Sequence, residues 1–375
     1  MQTRSILTVA AASALLASAA IAGPAAAAPA PGAPETRASG LPTPLGLAVA
    51  TNGDAVVSGN FAGLLSSVGK RGVVTNLAAA PGEEISAPAV DGGTVYYMRG
   101  SNDHTAADIY ALRGGTSTHV ADIAGFEASE NPDQVNTYGF SDLDESCEAA
   151  FPNDPDDVLT WPNYPGQIDT HAYGATVAGG ILYVADAGAN AIFAVDPASG
   201  DVSTVAVLPP AAPIVVPAPV AAEFGWPDCA VGHEYRTEPV PTDVELGPDG
   251  WLYVTSLPGG PETPEFGPRG NVVKVDPSTG EVAPVAAGFN GATGLAVAPN
   301  GTIFVAELFG GPAFSGQVAI VKPGESAASS AIDVVMPAAV SVRAEQLYIT
   351  TEALSEEGGK LTVVPLKGSA HSRRG

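Results

Sequence analysis

Basic residues are scarce in this chain: 15 Lys+Arg stand against 40 Asp+Glu, a formal charge of −25 over 375 residues. Nucleic acid and anionic membrane surfaces both require positive charge, so neither is expected as a partner. Charged residues of both signs make up only 15%, below the roughly 25% of ordinary globular domains. Cysteine is limited to Cys147 and Cys229, whose wide spacing argues against zinc. Catalytic signatures are missing too. There is no Gly-x-Ser-x-Gly, and the five histidines (His104, His119, His171, His233, His371) show no spacing that forms a cluster. After residue 28 no apolar run is long enough for a membrane helix.

Glycine and proline are plentiful, 44 and 34 residues, which favours many short strands and turns over long helices. Residues 1–28 carry one charge (Arg4), an apolar run over 6–21 and small residues at Ala25–Ala28. That is the order of a secretory signal peptide, so the mature protein is expected outside the cell, free of the membrane. Residues 29–41 read as a flexible linker, and 367–375 as a disordered tail. In an oxidising compartment Cys147 and Cys229 are expected to pair. The bridge would stabilise the fold by about 4.5 kcal/mol in the chain-entropy picture.

One pattern recurs: an apolar strand, a glycine turn, then a strand ending in an aromatic or β-branched pair. The clearest copies are 243–254, 294–305 and 174–184, with weaker ones at 46–57, 88–97 and 339–349. Asn52-Gly53, Asp249-Gly250 and Asn300-Gly301 read as two-residue hairpins with positive φ at both positions. Asp196-Pro197 to Gly200 and Asp276-Pro277 to Gly280 close a second kind of turn. Six units of four antiparallel strands predict an all-β fold, a six-bladed β-propeller spanning 42–366. The sixth unit lacks a fourth strand, which the segment before Leu45 is placed to supply. Two stretches, about 127–170 (acidic, with Cys147) and 207–240 (proline-rich, with Cys229), show no repeat copy and read as long loop insertions. Trp161 and Trp226 lie in them, either packing the insertions onto the ring or lining a groove for an apolar or aromatic ligand.

The chain resembles the ScyD/ScyE family of secreted, NHL-like bacterial propellers. The likeness is carried by residues 121–133, by Tyr173-Gly174 with 183–190, and by 240–250 and 288–297. It implies the fold and export and leaves the chemistry open.

A site is expected where first strands begin and second strands end, around the mouth of the central channel. The candidates for ligand contact are His171, Tyr173, Asp186, Asn190, Asp243 and Glu307. Of these, Asp186, Asn190 and Glu307 are the oxygen donors that a Ca²⁺ ion would use. Two readings follow for the mouth: a scaffold binding a small molecule or an extracellular protein, acting as a monomer, or a Ca²⁺-dependent hydrolase of the lactonase kind or a lyase. A third places the function in the acidic insertion (Asp142, Asp144, Glu145, Asp154, Asp156, Asp157), as a surface for a basic partner.

Overall fold

A computed structural model of the chain describes residues 30–155, 157–260 and 266–367. The stretch 1–28 expected to be a signal peptide, and the expected tail after Lys367, lie outside the described residues. The rest is mostly strand, in seven antiparallel sheets.

Five sheets are simple four-stranded meanders over 44–79, 84–122, 172–207, 241–289 and 292–333. A sixth is built from Val340–Arg343, Gln346–Thr351 and Gly359–Lys367, and is completed from the other end of the chain. Glu35–Leu41 and Ala30–Pro31 both pair with Gly359–Lys367. The stretch expected to be a linker is therefore mostly strand. Its backbone satisfies an edge that would otherwise be open. The first strands of these sheets lie side by side: Pro44–Val49 on Glu84–Asp91, then Ala172–Ala178, Pro241–Leu246, Ala292–Val297 and Val340–Arg343, which returns to Pro44–Val49.

Packing follows from alternation. Strands present apolar residues to both neighbouring sheets, so clusters form between sheets. Between the second and third lie Met98, Ile109, Leu182, Val184 and Phe193. The Asp-Pro turns dock each sheet on the one before. Gly200 and Gly280 sit at φ 81° and 73°, and a Cβ on either would come within 2.5 Å of the Val120 or the Val205 carbonyl oxygen. Only glycine permits both the conformation and the approach.

The Asn-Gly and Asp-Gly turns differ from expectation. Only the glycines have positive φ (Gly53 83°, Gly250 83°, Gly301 82°), and Gly53 N–H donates to the Ala50 carbonyl at 2.8 Å. These are longer turns with glycine in the left-handed exit position. Paired positive φ occurs instead at Gly114-Gly115 and Gly179-Gly180.

The two insertions fold together, contrary to the loop reading. They contribute Asn163–Pro165 and Thr137–Phe140, and Glu234–Arg236 and Ile214–Val215, to a seventh four-stranded sheet. The short helices Glu145–Glu148 and Ala218–Glu223 pack against it, whereas Ile123–Glu130 packs on the ring, with Phe126 edge-on to Phe193. Cys147 and Cys229 are bonded, with Cα atoms 5.8 Å apart, so the bridge ties one insertion to the other. Around it pack Phe140, Phe151, Val216, Trp226 and Tyr235. Several acidic residues of the insertion have local structural partners: Asp144 and Asp157 cap short helices, and Asp142 pairs with His233. No helix among the described residues is long and apolar enough to cross a membrane.

Candidate functional site

Glu84 opens the first strand of the second sheet and is only 3% exposed. A buried carboxylate needs partners. Asn60 Nδ2 donates to its Oε1 at 2.8 Å and is itself held by Ser58 Oγ at 2.7 Å. Its Oε2 lies 3.0 Å from His171 Nε2. Burial opposes the Glu84 charge, but hydrogen bonds from His171 and Asn60 and the His171 charge carry its pKa below the usual value.

His104 lies in the loop after Thr94–Gly100, and its ring stacks on His171 with centroids 4.4 Å apart. Its Nδ1 donates to Asp169 Oδ1 at 2.8 Å. That hydrogen bond and the charges of Asp169, Glu84 and Asp186 raise the His104 pKa. It also fixes the tautomer and leaves Nε2 as a free ligand atom. Tyr173 meets His171 edge-on at 5.6 Å. At the rim Arg99 forms an ion pair with Glu83. Glu84, His104 and His171 each place a ligand atom within 4.8 Å of the other two, the one such group of three among the described residues.

The loop carrying Asp169 and His171 is held by two clamps. Glu127 accepts from Asp169 N–H at 3.0 Å and from Thr170 Oγ1. Asp186 Oδ1 accepts from His171 N–H at 2.8 Å, and from Gly188 and Ala189 N–H at 3.2 and 3.0 Å. Both carboxyls are fully buried, and burial raises them to about 7 for Glu127 and about 6 for Asp186. Behind them Asn190 Nδ2 donates to Asp133 Oδ2 at 2.9 Å, and Tyr138 donates to the same oxygen at 3.0 Å.

The sequence candidates thus fall into two groups. His171 and Tyr173 are at the cluster. Asp186, Asn190 and Glu307 do not gather around one point. Asn190 Oδ1 accepts from Val240 N–H, and Glu307 accepts from Asn290 N–H at 2.7 Å and Gln317 Nε2 at 2.6 Å. Asp186 and Glu307 occupy matching positions at the ends of second strands, opposite Ala172 and Ala292. Each ties down the backbone that enters its sheet. Glu307 is in this respect a feature of the repeat. Asp243 lies deeper in the channel, accepting from Val244 and Leu295 N–H at 2.8 and 2.9 Å, and its pKa is raised to about 7 by burial.

Glu84, Asp169 and Glu127 were not singled out from the sequence, and His104 was read as isolated. Glu84 alone carried a usable signal, a carboxylate at the start of a first strand.

No family model matches the chain, and no curated protein matches it. Among solved structures it is similar to the PQQ-bound form of aldose sugar dehydrogenase from Streptomyces coelicolor, at 15% identity and TM-score 0.53, over 90% of this chain and 99% of that one. It is also similar to a luciferin-regenerating enzyme, at 11% identity and TM-score 0.51, over 91% and 98%. A Bacteroides thetaiotaomicron protein of unknown function matches at 12% identity and TM-score 0.51, over 90% and 76%. The structural neighbours are β-propellers, and at such identities the likeness shows the fold alone.

Proposed function

We propose that this chain is an exported six-bladed propeller that binds a small ligand through a divalent transition-metal ion. The ion is held at the channel mouth by Glu84, His104 and His171. The count of six rests on the cyclic succession of first strands, with the seventh sheet assigned to the insertions. Export is supported by the signal-like residues 1–28 and by the Cys147–Cys229 bond. Kinship with ScyD/ScyE proteins belongs to the same reading. The stretches that carry it, 121–133 and 183–190, contain Glu127, Asp133, Asp186 and Asn190, which build and clamp the mouth loop.

The observation that carries the proposal is the pair of stacked imidazoles converging with Glu84, with the His104 ring oriented by the Asp169 carboxylate. Metal-ligating histidines characteristically have such an outer carboxylate. The 3.0 Å between His171 Nε2 and Glu84 Oε2 suits two ligands at about 2.0–2.2 Å from a shared ion. Two nitrogens and one oxygen suit Zn²⁺ better than Ca²⁺, which takes six to eight oxygens. An ion there would polarise an oxygen of the bound ligand, the requirement shared by hydrolase and lyase chemistry.

The test is titration of the chelator-treated, exported chain with Zn²⁺ and with Ca²⁺. Zn²⁺ is expected to bind one to one and raise Tm, with Ca²⁺ without effect. His104→Ala and His171→Ala should each abolish Zn²⁺ binding. Unchanged Zn²⁺ affinity in both variants, or none in the parent chain, overturns the reading.

A further inference from the structure

Three loops on the mouth end of the fifth and sixth sheets each present one large apolar side chain to solvent. Phe314 follows Ile303–Glu307, Val335 follows Ser330–Asp333, and Leu354 follows Gln346–Thr351. They are 51%, 48% and 45% exposed. Backbone hydrogen bonds lock the loops together. Met336 N–H donates to the Ser315 carbonyl at 2.8 Å, Glu352 N–H to that of Val335 at 2.7 Å, and Ala353 N–H to that of Met336 at 3.1 Å. Ala313, Phe314, Met336 and Glu352 all have positive φ, between 39° and 56°. Residues other than glycine avoid this region, and such strain concentrates at ligand-binding segments. Exposed apolar side chains gathered on interlocked, strained loops mark a contact surface.

The patch is continuous with the metal cluster. Ala353, beside Leu354, is buried with Leu45 and Ala338, and Tyr173 packs against that group. Tyr173 in turn meets the His171 ring edge-on. The first sheet stands between the sixth and the second in the ring. Its Phe61 is 64% exposed, next to Asn60, the residue that holds Glu84. Below the cluster the channel closes. The space among Leu45, Tyr173, Thr242, Asp243 and Thr293 is about 10 Å³, room for one water at most. A ligand whose head sits at the cluster therefore cannot extend down the channel, and the rest of it lies across the mouth.

We propose that the ligand of the metal site is a small amphiphile. Its metal-binding head sits at Glu84, His104 and His171, and its apolar chain lies over Phe61 towards Phe314, Val335 and Leu354. This rests on the metal reading above and adds the chemical class of the ligand.

The probes are acetohydroxamate, hexanohydroxamate and decanohydroxamate, each titrated by calorimetry into the Zn²⁺-loaded, exported chain below its micelle concentration. The shared head reports the ion, and chain length reports the patch. A fully buried methylene improves affinity about fourfold, and a chain lying on an open face buries roughly half of each, so about twofold per methylene is expected. Over eight methylenes that is a gain of at least about a hundredfold. Phe314→Asn with Leu354→Ser should cut the gain about tenfold, with acetohydroxamate and Zn²⁺ affinities unchanged. Leu246→Ser, at a leucine 43% exposed on the opposite end of the ring, should change neither. Failure to bind Zn²⁺ or acetohydroxamate overturns the metal reading and this proposal with it. Acetohydroxamate binding with no gain from chain length overturns this proposal alone. So does a gain that persists without Zn²⁺ or survives the double variant. Sedimentation showing a dimer that Leu354→Ser dissociates would assign the patch to a second copy of the chain and overturn it as well.

Discussion

The ring of repeated sheets and the sheet made by the two insertions are both antiparallel, yet different forces hold them. Ring strands run mostly four to nine residues, from Ser330–Asp333 to Gly359–Lys367. Their cores are mainly aliphatic, with Leu182, Val244, Leu252, Val305 and Val364 fully or almost fully buried and scattered rings such as Phe193 and Phe304 among them. The outer strands run two to four residues, from Ile214–Val215 to Thr137–Phe140. Strands so short cannot sustain a sheet alone. Their core is aromatic (Phe140, Phe151, Trp226, Tyr235) and crosslinked by Cys147–Cys229. A repeat buries each face on a copy of itself. An insertion has no copy beside it, so large rings and a covalent bond do the work.

Breaking the crosslink should expose this difference most strongly. Cys147→Ser with Cys229→Ser is expected to destabilise the outer sheet by about 2–5 kcal/mol. In hydrogen exchange, amides of Thr137–Phe140 and Glu234–Arg236 should lose protection while those of Ala292–Val297 keep theirs. Equal loss in both would show a single cooperative unit.

The two buried carboxylate clamps sharpen the contrast at the mouth. Glu127→Ala frees Asp169 and Thr170, and should weaken Zn²⁺ binding about tenfold to a hundredfold, the usual effect of losing an outer support. Glu307→Ala removes a clamp of similar geometry from the fifth sheet, and should leave Zn²⁺ affinity unchanged. Calorimetry on the two variants decides it.

A smaller, graded effect comes from the far part of the channel. Burial, with the Asp243 charge beside it, raises the Glu245 carboxyl to about 8, against 4.5 for an ordinary glutamate. Between those values the folded chain holds a proton that the unfolded chain has released. Stability contributed by this group is therefore present below about pH 4.5 and is lost as pH rises towards 8. The slope for one group is at most about 1.4 kcal/mol per pH unit. Urea unfolding from pH 5 to 8 should show a flatter decline in Glu245→Gln than in the parent chain, whereas Asp228→Asn on the exposed outer surface should leave the decline as it is.

Much of the ring was legible in the chain itself. Alternating apolar residues and glycine turns at 174–184, 243–254 and 294–305 marked strands, and the short sixth unit pointed to a closing strand from the N-terminal side. The pairing of Cys147 with Cys229 was legible as well, because only two cysteines exist. His171 and Tyr173 were marked by their place at a strand start. The outer sheet was not legible, since strands of two to four residues are too short to show a period. His104 was missed because its partner Asp169 lies 65 residues away, and Glu84 lies 87 residues from His171.

Local chemistry therefore determined the strands, the turns, the crosslink and the negative charge, since each depends on residues near in sequence or on composition alone. Only the tertiary structure decided which carboxylates became backbone clamps and which joined the histidines. An Asp at a strand end has the same sequence signature in either role. The closing of the ring around its channel, and the folding of two insertions against each other, set what each side chain meets.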